Sequence, residues 1–221
     1  EGFIYYLPKD VVSGDFYWFH KLGDHFYLVA ADCTGHGVPG ALMSIVGMDK
    51  ITQAIFEKKI TEPKAILEFL NIEIKNTLKQ HDDETKQRDG MDLALVRINI
   101  KTNTVDFAAA NRPLYIVTDG KLKEYKSDKV AIAGFTPDDH VFKQLTLQLN
   151  KGDRLYLATD GFADQFGGSE SKKFMTKNFK ALLESLSADM NAQEEQLINS
   201  HLTWKGHYEQ VDDILVIGIK V

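Results

Sequence analysis

The segment Ala31-Asp32-Cys33-Thr34-Gly35-His36-Gly37-Val38-Pro39-Gly40-Ala41 lies where the hydrophobic pattern of the chain changes period. Upstream, residues 25–31 carry Phe26, Tyr27, Leu28 and Val29, the aromatic and branched composition of a half-buried strand. Downstream, Leu42, Ile45, Met48, Ile51 and Ile55 recur every three or four residues, which predicts one buried face of a helix. A strand thus ends at an aspartate, crosses a glycine-rich turn and opens a helix. Glycines let backbone approach a ligand closely, and a helix N-terminus offers amide donors suited to an anion.

The reading extends outward from that junction. Before it, residues 3–7 and 14–22 are apolar and aromatic, and Lys21-Leu22-Gly23-Asp24 predicts a hairpin into 25–31. After it, Thr61-Glu62-Pro63 stops one helix and caps the next, whose stripe is Leu67, Leu70, Ile74 and Leu78. The polar run 81–87 reads as a solvated loop. Strands are predicted over 93–100, 104–109, 114–118, 122–125, 142–149 and 154–159, with turn signals at Lys101-Thr102-Asn103 and Asp119-Gly120. A helical section follows over about 171–204. Phe179, Leu182, Leu183 and Leu186 share a face there, and a second helix spans 193–202. The continuous apolar run Ile214-Leu215-Val216-Ile217-Gly218-Ile219 predicts a central strand covered on both faces. The fold class expected is α+β, with two antiparallel sheets stacked face to face and a helix pair outside each, in one domain over 1–221.

Composition narrows the function classes. The 221 residues carry 26 Lys+Arg against 32 Asp+Glu, a net charge of -6, with 43% hydrophobic residues. That is globular composition, and its acidic balance argues against a nucleic-acid surface. No apolar run approaches the ~20 residues of a membrane span. The single cysteine, Cys33, forms no internal disulfide and fits the cytoplasm, reading as a small buried residue rather than a nucleophile. The start at Glu1 has neither an initiator Met nor signal-peptide character. The chain therefore reads as a fragment of a longer protein with a regulatory region before it.

Aspartates recur at predicted strand ends beside glycine or an apolar strand: Asp15 after Gly14, Asp32, Asp160 before Gly161, and the pair Asp212 and Asp213 before the last strand. Each alone is ordinary turn chemistry. Brought to one edge of a layered sheet they would share a pocket. Two carboxylates about 4 Å apart repel by roughly 4 kcal/mol at an effective dielectric near 20. Such a group takes up protons or binds cations. An all-oxygen set without paired His or Cys ligands favours Mg²⁺ or Mn²⁺ over zinc.

Ser13-Gly14-Asp15-Phe16-Tyr17, the Ala31 to Ala41 segment, Ala158-Thr159-Asp160-Gly161-Phe162 and Val211-Asp212-Asp213-Ile214, in this order and spacing, resemble the SpoIIE/RsbU-type branch of the metal-dependent protein serine/threonine phosphatases, the PPM superfamily. The resemblance spans nearly the whole chain. It implies a four-layer α-β-β-α sandwich, two Mn²⁺ or Mg²⁺ ions, and hydrolysis of phosphoserine or phosphothreonine by in-line attack of a metal-bridging hydroxide. It further implies a bacterial partner-switching substrate, a small phosphorylated STAS anti-anti-sigma protein. Carried over by residue, Asp32 bridges both ions, Asp15 and the backbone carbonyl of Cys33 hold the second, and Asp160 with Asp212 complete the first. Asp213 is the close alternative to Asp212.

The chain departs from the pattern in places. No arginine precedes the first aspartate, so Lys9 stands there as a phosphate contact or as a surface lysine. His36 is either a proton donor to the leaving group or a structural turn histidine. Asp92, in Asp89-Gly90-Met91-Asp92, is either an additional carboxylate behind the metal site or a strand cap. Asn111 and Arg112 receive no role beyond a sheet-edge turn. Residues 162–173, polar and glycine-containing beside Asp160, read as a flap over the site or a plain surface loop. The alternatives to an active phosphatase are a catalytically silent module that keeps the fold to bind a phosphoprotein, and a two-metal hydrolase of another phosphate ester. The intact acidic set disfavours the first, and the lack of a P-loop or basic groove disfavours the second.

Overall fold

A computed structural model describes residues 1–35, 37–80 and 88–221. The chain runs β1 (Gly2–Leu7), β2 (Asp15–Leu22), β3 (His25–Cys33), α1 (Gly37–Thr52), α2 (Pro63–Thr77), β4 (Gly90–Asn99), β5 (Thr104–Ala110), β6 (Leu114–Thr118), β7 (Lys121–Tyr125), β8 (Ile132–Ala133), β9 (Leu145–Gln148), β10 (Arg154–Ala158), α3 (Gly161–Asp164), β11 (Phe166–Gly167), β12 (Lys172–Lys173), α4 (Thr176–Ser185), α5 (Met190–Lys205) and β13 (Ile214–Lys220). One sheet has the order β1-β13-β10-β6-β7 and the other β2-β3-β4-β5-β9, with β8 added beside β4. All the strand pairs within these two sheets are antiparallel.

Three cores hold four layers together. Leu28, Ala30, Val96, Phe107, Leu155 and Leu215 pack between the two sheets. Val29, Leu93 and Leu95 face α1 and α2, meeting Ile51, Ile66 and Leu70. Tyr156 and Val216 face the opposite helix layer, meeting Phe179, Leu183 and Leu197. Neighbouring residues of one strand therefore enter different cores, as the period-two geometry of strands requires. The last strand, β13, lies between β1 and β10 and is covered on both faces, which accounts for its unbroken apolar run. The architecture is the four-layer α-β-β-α sandwich expected from the element order.

Several local expectations change. The stripe Leu42, Ile45, Met48, Ile51, Ile55 is not the buried face of α1. Leu42 is 61% and Ile45 59% exposed, while Met43, Ser44, Gly47 and Ile51 are buried. The helix is docked by its small residues: a Cβ on Gly47 would sit 2.9 Å from the Phe16 ring, so close approach outweighs the larger apolar side chains. From Gln53 to Glu57 the helix widens into a π-helical turn, so Ile55 is buried on a different phase. In α2, Glu62 stands at the N-cap with Pro63 first, and Leu67, Leu70 and Ile74 are buried as expected. The strand expected over 142–149 shortens to β9, because Phe142 leaves the sheet to join the core beneath α2. The adjacent Lys143 N–H donates instead to Asp128 Oδ2 at 2.7 Å. The loop expected over 81–87 lies outside the described residues.

Candidate metal centre

Strand register gathers the acidic residues. In the β2-β3-β4 sheet, Asp15 is directly opposite Asp32, and Asp32 is directly opposite Asp92. Directly opposed residues share a face. Leu28 and Ala30 in β3, and Ala94 and Val96 in β4, share that parity and belong to the core between the sheets. The three carboxyls therefore face the gap between the sheets, at its end. Like charges directly opposed across strands are destabilising, so this row has no folding rationale of its own. From the facing sheet, β10 delivers Thr159 and Asp160, and the entry to β13 delivers Asp212 and Asp213. Thr159 Oγ1 donates to Asp15 Oδ2 at 2.5 Å, linking the two sheets at the site.

The two aspartates before β13 do different work. Asp213 is 3% exposed and accepts from the Lys9 N–H at 2.7 Å and the Gly14 N–H at 2.9 Å. It ties the 8–14 loop to the start of the final strand. Asp212 is more open, and the charge of Asp160 acts on it. The glycines of two sequence motifs meet beside this clamp. A Cβ on Gly14 would lie 2.5 Å, and one on Gly40 2.3 Å, from the carbonyl oxygen of Gly35. Any side chain at either position would push the turn away from Asp15.

Electrostatics record the crowding. Asp15 is pushed up to about 9, first by burial and then by the charge of Asp32, with the Thr159 hydroxyl opposing. Asp32 is pushed up to about 7 by burial, with Arg112 pulling it down and Asp160, Asp212 and Asp92 adding to the rise. Burial raises Asp92 and Asp212 as well. Desolvated, like-charged carboxyls hold protons unless a cation is supplied.

One cation is supplied by the chain. Arg112 lies in the connection between β5 and β6, where the polypeptide passes from one sheet to the other. Its Nη2 lies 2.5 Å from Asp32 Oδ2, 2.8 Å from Asp160 Oδ2 and 3.2 Å from Asp92 Oδ2. Asn111, at φ 59°, donates from Nδ2 to Asp92 Oδ1 at 2.7 Å. From sequence both residues belong only to a sheet-edge turn. The available signal was topological: a polar pair on an inter-sheet crossing whose flanking strands end at the carboxylate edge.

The other anticipated residues are placed as follows. Cys33 is buried and pairs with Met91, its N–H donates to Gly14 O at 3.3 Å, and burial raises its thiol pKa further, consistent with an inert thiol. Lys9 stands near enough for its charge to oppose slightly the rise that burial imposes on Asp212. His36 lies outside the described residues. The root of the 162–173 segment is packed rather than open. Phe162 is buried against Phe174 and Phe179, and Trp204 Nε1 donates to Gln165 O at 2.9 Å. A cavity of about 150 Å³ opens beside Asp32, Thr34, Gly90 and Asp92. Another of about 250 Å³ opens beside Arg112, Asp160, Tyr115 and Thr176.

Among the described residues, no three His, Cys, Asp or Glu side chains already form a ready-made coordination shell. The donor set is nevertheless all oxygen and in excess of its counter-charge, which is the chemistry that hard divalent cations satisfy. The residues present therefore fit Mg²⁺ or Mn²⁺.

Comparison with known proteins agrees with this fold. The family model described as stage II sporulation protein E (SpoIIE) matches residues 23–221. The whole chain is similar to the SiaA-PP2C domain of Pseudomonas aeruginosa, with 31% identity, a TM-score of 0.90 and 85% of that chain covered. It also superposes on the PP2C phosphatase domain with a fragment of the regulatory domain of SpoIIE from Bacillus subtilis, at 16% identity, a TM-score of 0.80 and 62% of that chain covered. A third likeness is to the RsbU and RsbW domains of a Mycobacterium tuberculosis protein, at 20% identity, a TM-score of 0.75 and 59% of that chain covered. A search of curated proteins returns no match.

Proposed function

Since the chain belongs to the SpoIIE family of PP2C-type, metal-dependent serine/threonine phosphatases, we propose that it hydrolyses phosphoserine or phosphothreonine on a regulatory protein, using two Mn²⁺ or Mg²⁺ ions held between its sheets. The observation that carries this reading is the row Asp15, Asp32, Asp92 across three strands, faced by Asp160 and Asp212 from the other sheet. Asp32, central in that row, would hold both ions, with Asp15 and the Cys33 carbonyl holding one and Asp160 and Asp212 the other. Asp213 acts by fixing the loop that carries Gly14, since both its oxygens are engaged by backbone N–H groups. When bound, such ions would supply an activated water and neutralise phosphoryl charge. The chain's part is to orient the carboxylates, keep Asp15 dry, and present Lys9 toward the phosphoryl group. His36 is proposed as proton donor to the seryl oxygen.

The substrate we propose is a phosphorylated STAS anti-anti-sigma protein in a bacterial cytoplasmic partner switch, with a regulatory region in the same polypeptide. Supporting this are solved relatives described as RsbU with RsbW, as part of the bacterial stressosome, and as SpoIIE with a regulatory fragment. No helix among the described residues is long and apolar enough to cross a membrane. The test is Mn²⁺-dependent phosphate release from p-nitrophenyl phosphate and from a phosphoserine STAS protein, for the wild type and Asp32→Asn. Turnover of both by the wild type alone is expected. A wild type that releases no phosphate from either, with Mn²⁺ or Mg²⁺, would rule the proposal out.

A further inference from the structure

Among the described residues, Arg112 makes three ion pairs, all through one nitrogen, Nη2, while its buried Nε has no hydrogen-bond partner. The carboxylate oxygens it uses, Oδ2 of Asp32 and Oδ2 of Asp160, belong to the two residues that reach the candidate metal centre from opposite sheets. A Mg²⁺ ion binding either oxygen would stand about 2.0–2.1 Å from it. A dication and a guanidinium cannot share those oxygens without strong like-charge repulsion at short range. The chain's other arginines are engaged elsewhere. Arg97 pairs with Glu62 and Asp106, Arg154 donates to Leu186 O and Ser187 O, and Arg88 donates to Gln80 O. No other arginine is therefore available to recognise a phosphoryl group by its planar, two-pronged donor face.

Resting on the metal-dependent reading above, we propose that Arg112 is an internal counter-ion that divalent cations displace from Asp32 and Asp160, and that the displaced guanidinium then binds the phosphoryl group of the substrate. The carrier turn suits such an exchange. Asn111 anchors it to Asp92 and Pro113 stiffens it, so the Arg112 side chain can shift while the backbone stays in place. The cavity of about 250 Å³ beside Arg112, Asp160 and Thr176 gives the released guanidinium somewhere to go without leaving the site.

The test is calorimetric titration of Mn²⁺ into metal-free wild type, Arg112→Gln and Arg112→Lys, followed by titration of inorganic phosphate into each Mg²⁺-saturated protein. Arg112→Gln is expected to bind Mn²⁺ at least tenfold more tightly, about 1.4 kcal/mol, and phosphate at least tenfold more weakly. Arg112→Lys, which keeps the charge on a flexible stem without the planar fork, is expected to fall between the two in both titrations. Equal or weaker Mn²⁺ binding by folded Arg112→Gln overturns the proposal, and so does unchanged phosphate binding. If Arg112→Gln fails to fold, Arg112→Lys decides by the same two signs. Should the wild type itself bind no Mn²⁺, the metal reading falls and this proposal with it. Wild-type Mn²⁺ binding that the substitutions leave unaltered overturns this proposal alone.

Discussion

Asp32, half-buried, and Asp213, buried, both stand in aspartate-rich motifs, yet they differ in what surrounds their oxygens. Asp32 faces other carboxyls and a guanidinium, whereas Asp213 faces two backbone N–H groups. Their substitutions should therefore fail differently. Asp32→Asn is expected to fold and to lose metal-dependent turnover by roughly a hundredfold or more, as loss of a key electrostatic group does. Asp213→Ala leaves the Lys9 and Gly14 N–H groups without acceptors, which should cost about 2–5 kcal/mol in urea unfolding. Equal loss of stability in both variants would contradict this division of labour. Asp212 and Asp213 are adjacent and chemically identical, so the sequence left them as alternatives. Only the neighbouring backbone, contributed by the 8–14 loop, distinguishes them.

Helix α1 shows how an element can mislead when read by side-chain size. Its apolar residues offer more than one face: Leu42 and Ile45 point outward, while Met43 and Ile51 point inward. The phase is decided by Gly40, Ser44 and Gly47, whose small volume lets the helix approach the Gly35 turn and Phe16. Leu42→Lys and Ile45→Lys should accordingly shift stability by only about 0.5 kcal/mol in either direction. Ile51→Ala should cost about 2–5 kcal/mol by leaving a cavity in the core beneath α1 and α2. Gly40→Ala should be worse than its one added methyl suggests, because its Cβ would meet backbone, not a movable side chain. Chemical denaturation of the four variants checks the phase directly. If the lysine substitutions prove as damaging as Ile51→Ala, the observed phase is wrong.

At the scale of the molecule, two sheets close on a shared acidic edge, and folding without metal must neutralise it with protons and Arg112. Asp15 and Asp32 have folded-state pKa values raised to about 9 and about 7, above the unfolded value of 3.8. The folded state thus holds protons that the unfolded chain has released. Their contribution to stability is complete below about pH 4 and is lost as pH rises through 7 and 9. In a chelator, the melting temperature should therefore fall between pH 5 and pH 9, and Mn²⁺ should remove most of that fall by replacing the protons. A melting temperature independent of both pH and Mn²⁺ across this range would contradict a preassembled acidic site.

Sequence alone was enough for the layer order, because period-two and period-3.6 apolar patterns are local consequences of backbone geometry. The motif aspartates could be picked out as candidates, too, since acidic residues at strand ends can be seen in a linear string. What the tertiary structure alone decided were relations between distant segments. Register placed Asp92 in line with Asp15 and Asp32, an inter-sheet crossing brought Arg112 among them, and glycine contacts set the phase of α1. Those outcomes depend on distances between chain segments that no local pattern encodes, and they determine which charges must be neutralised together.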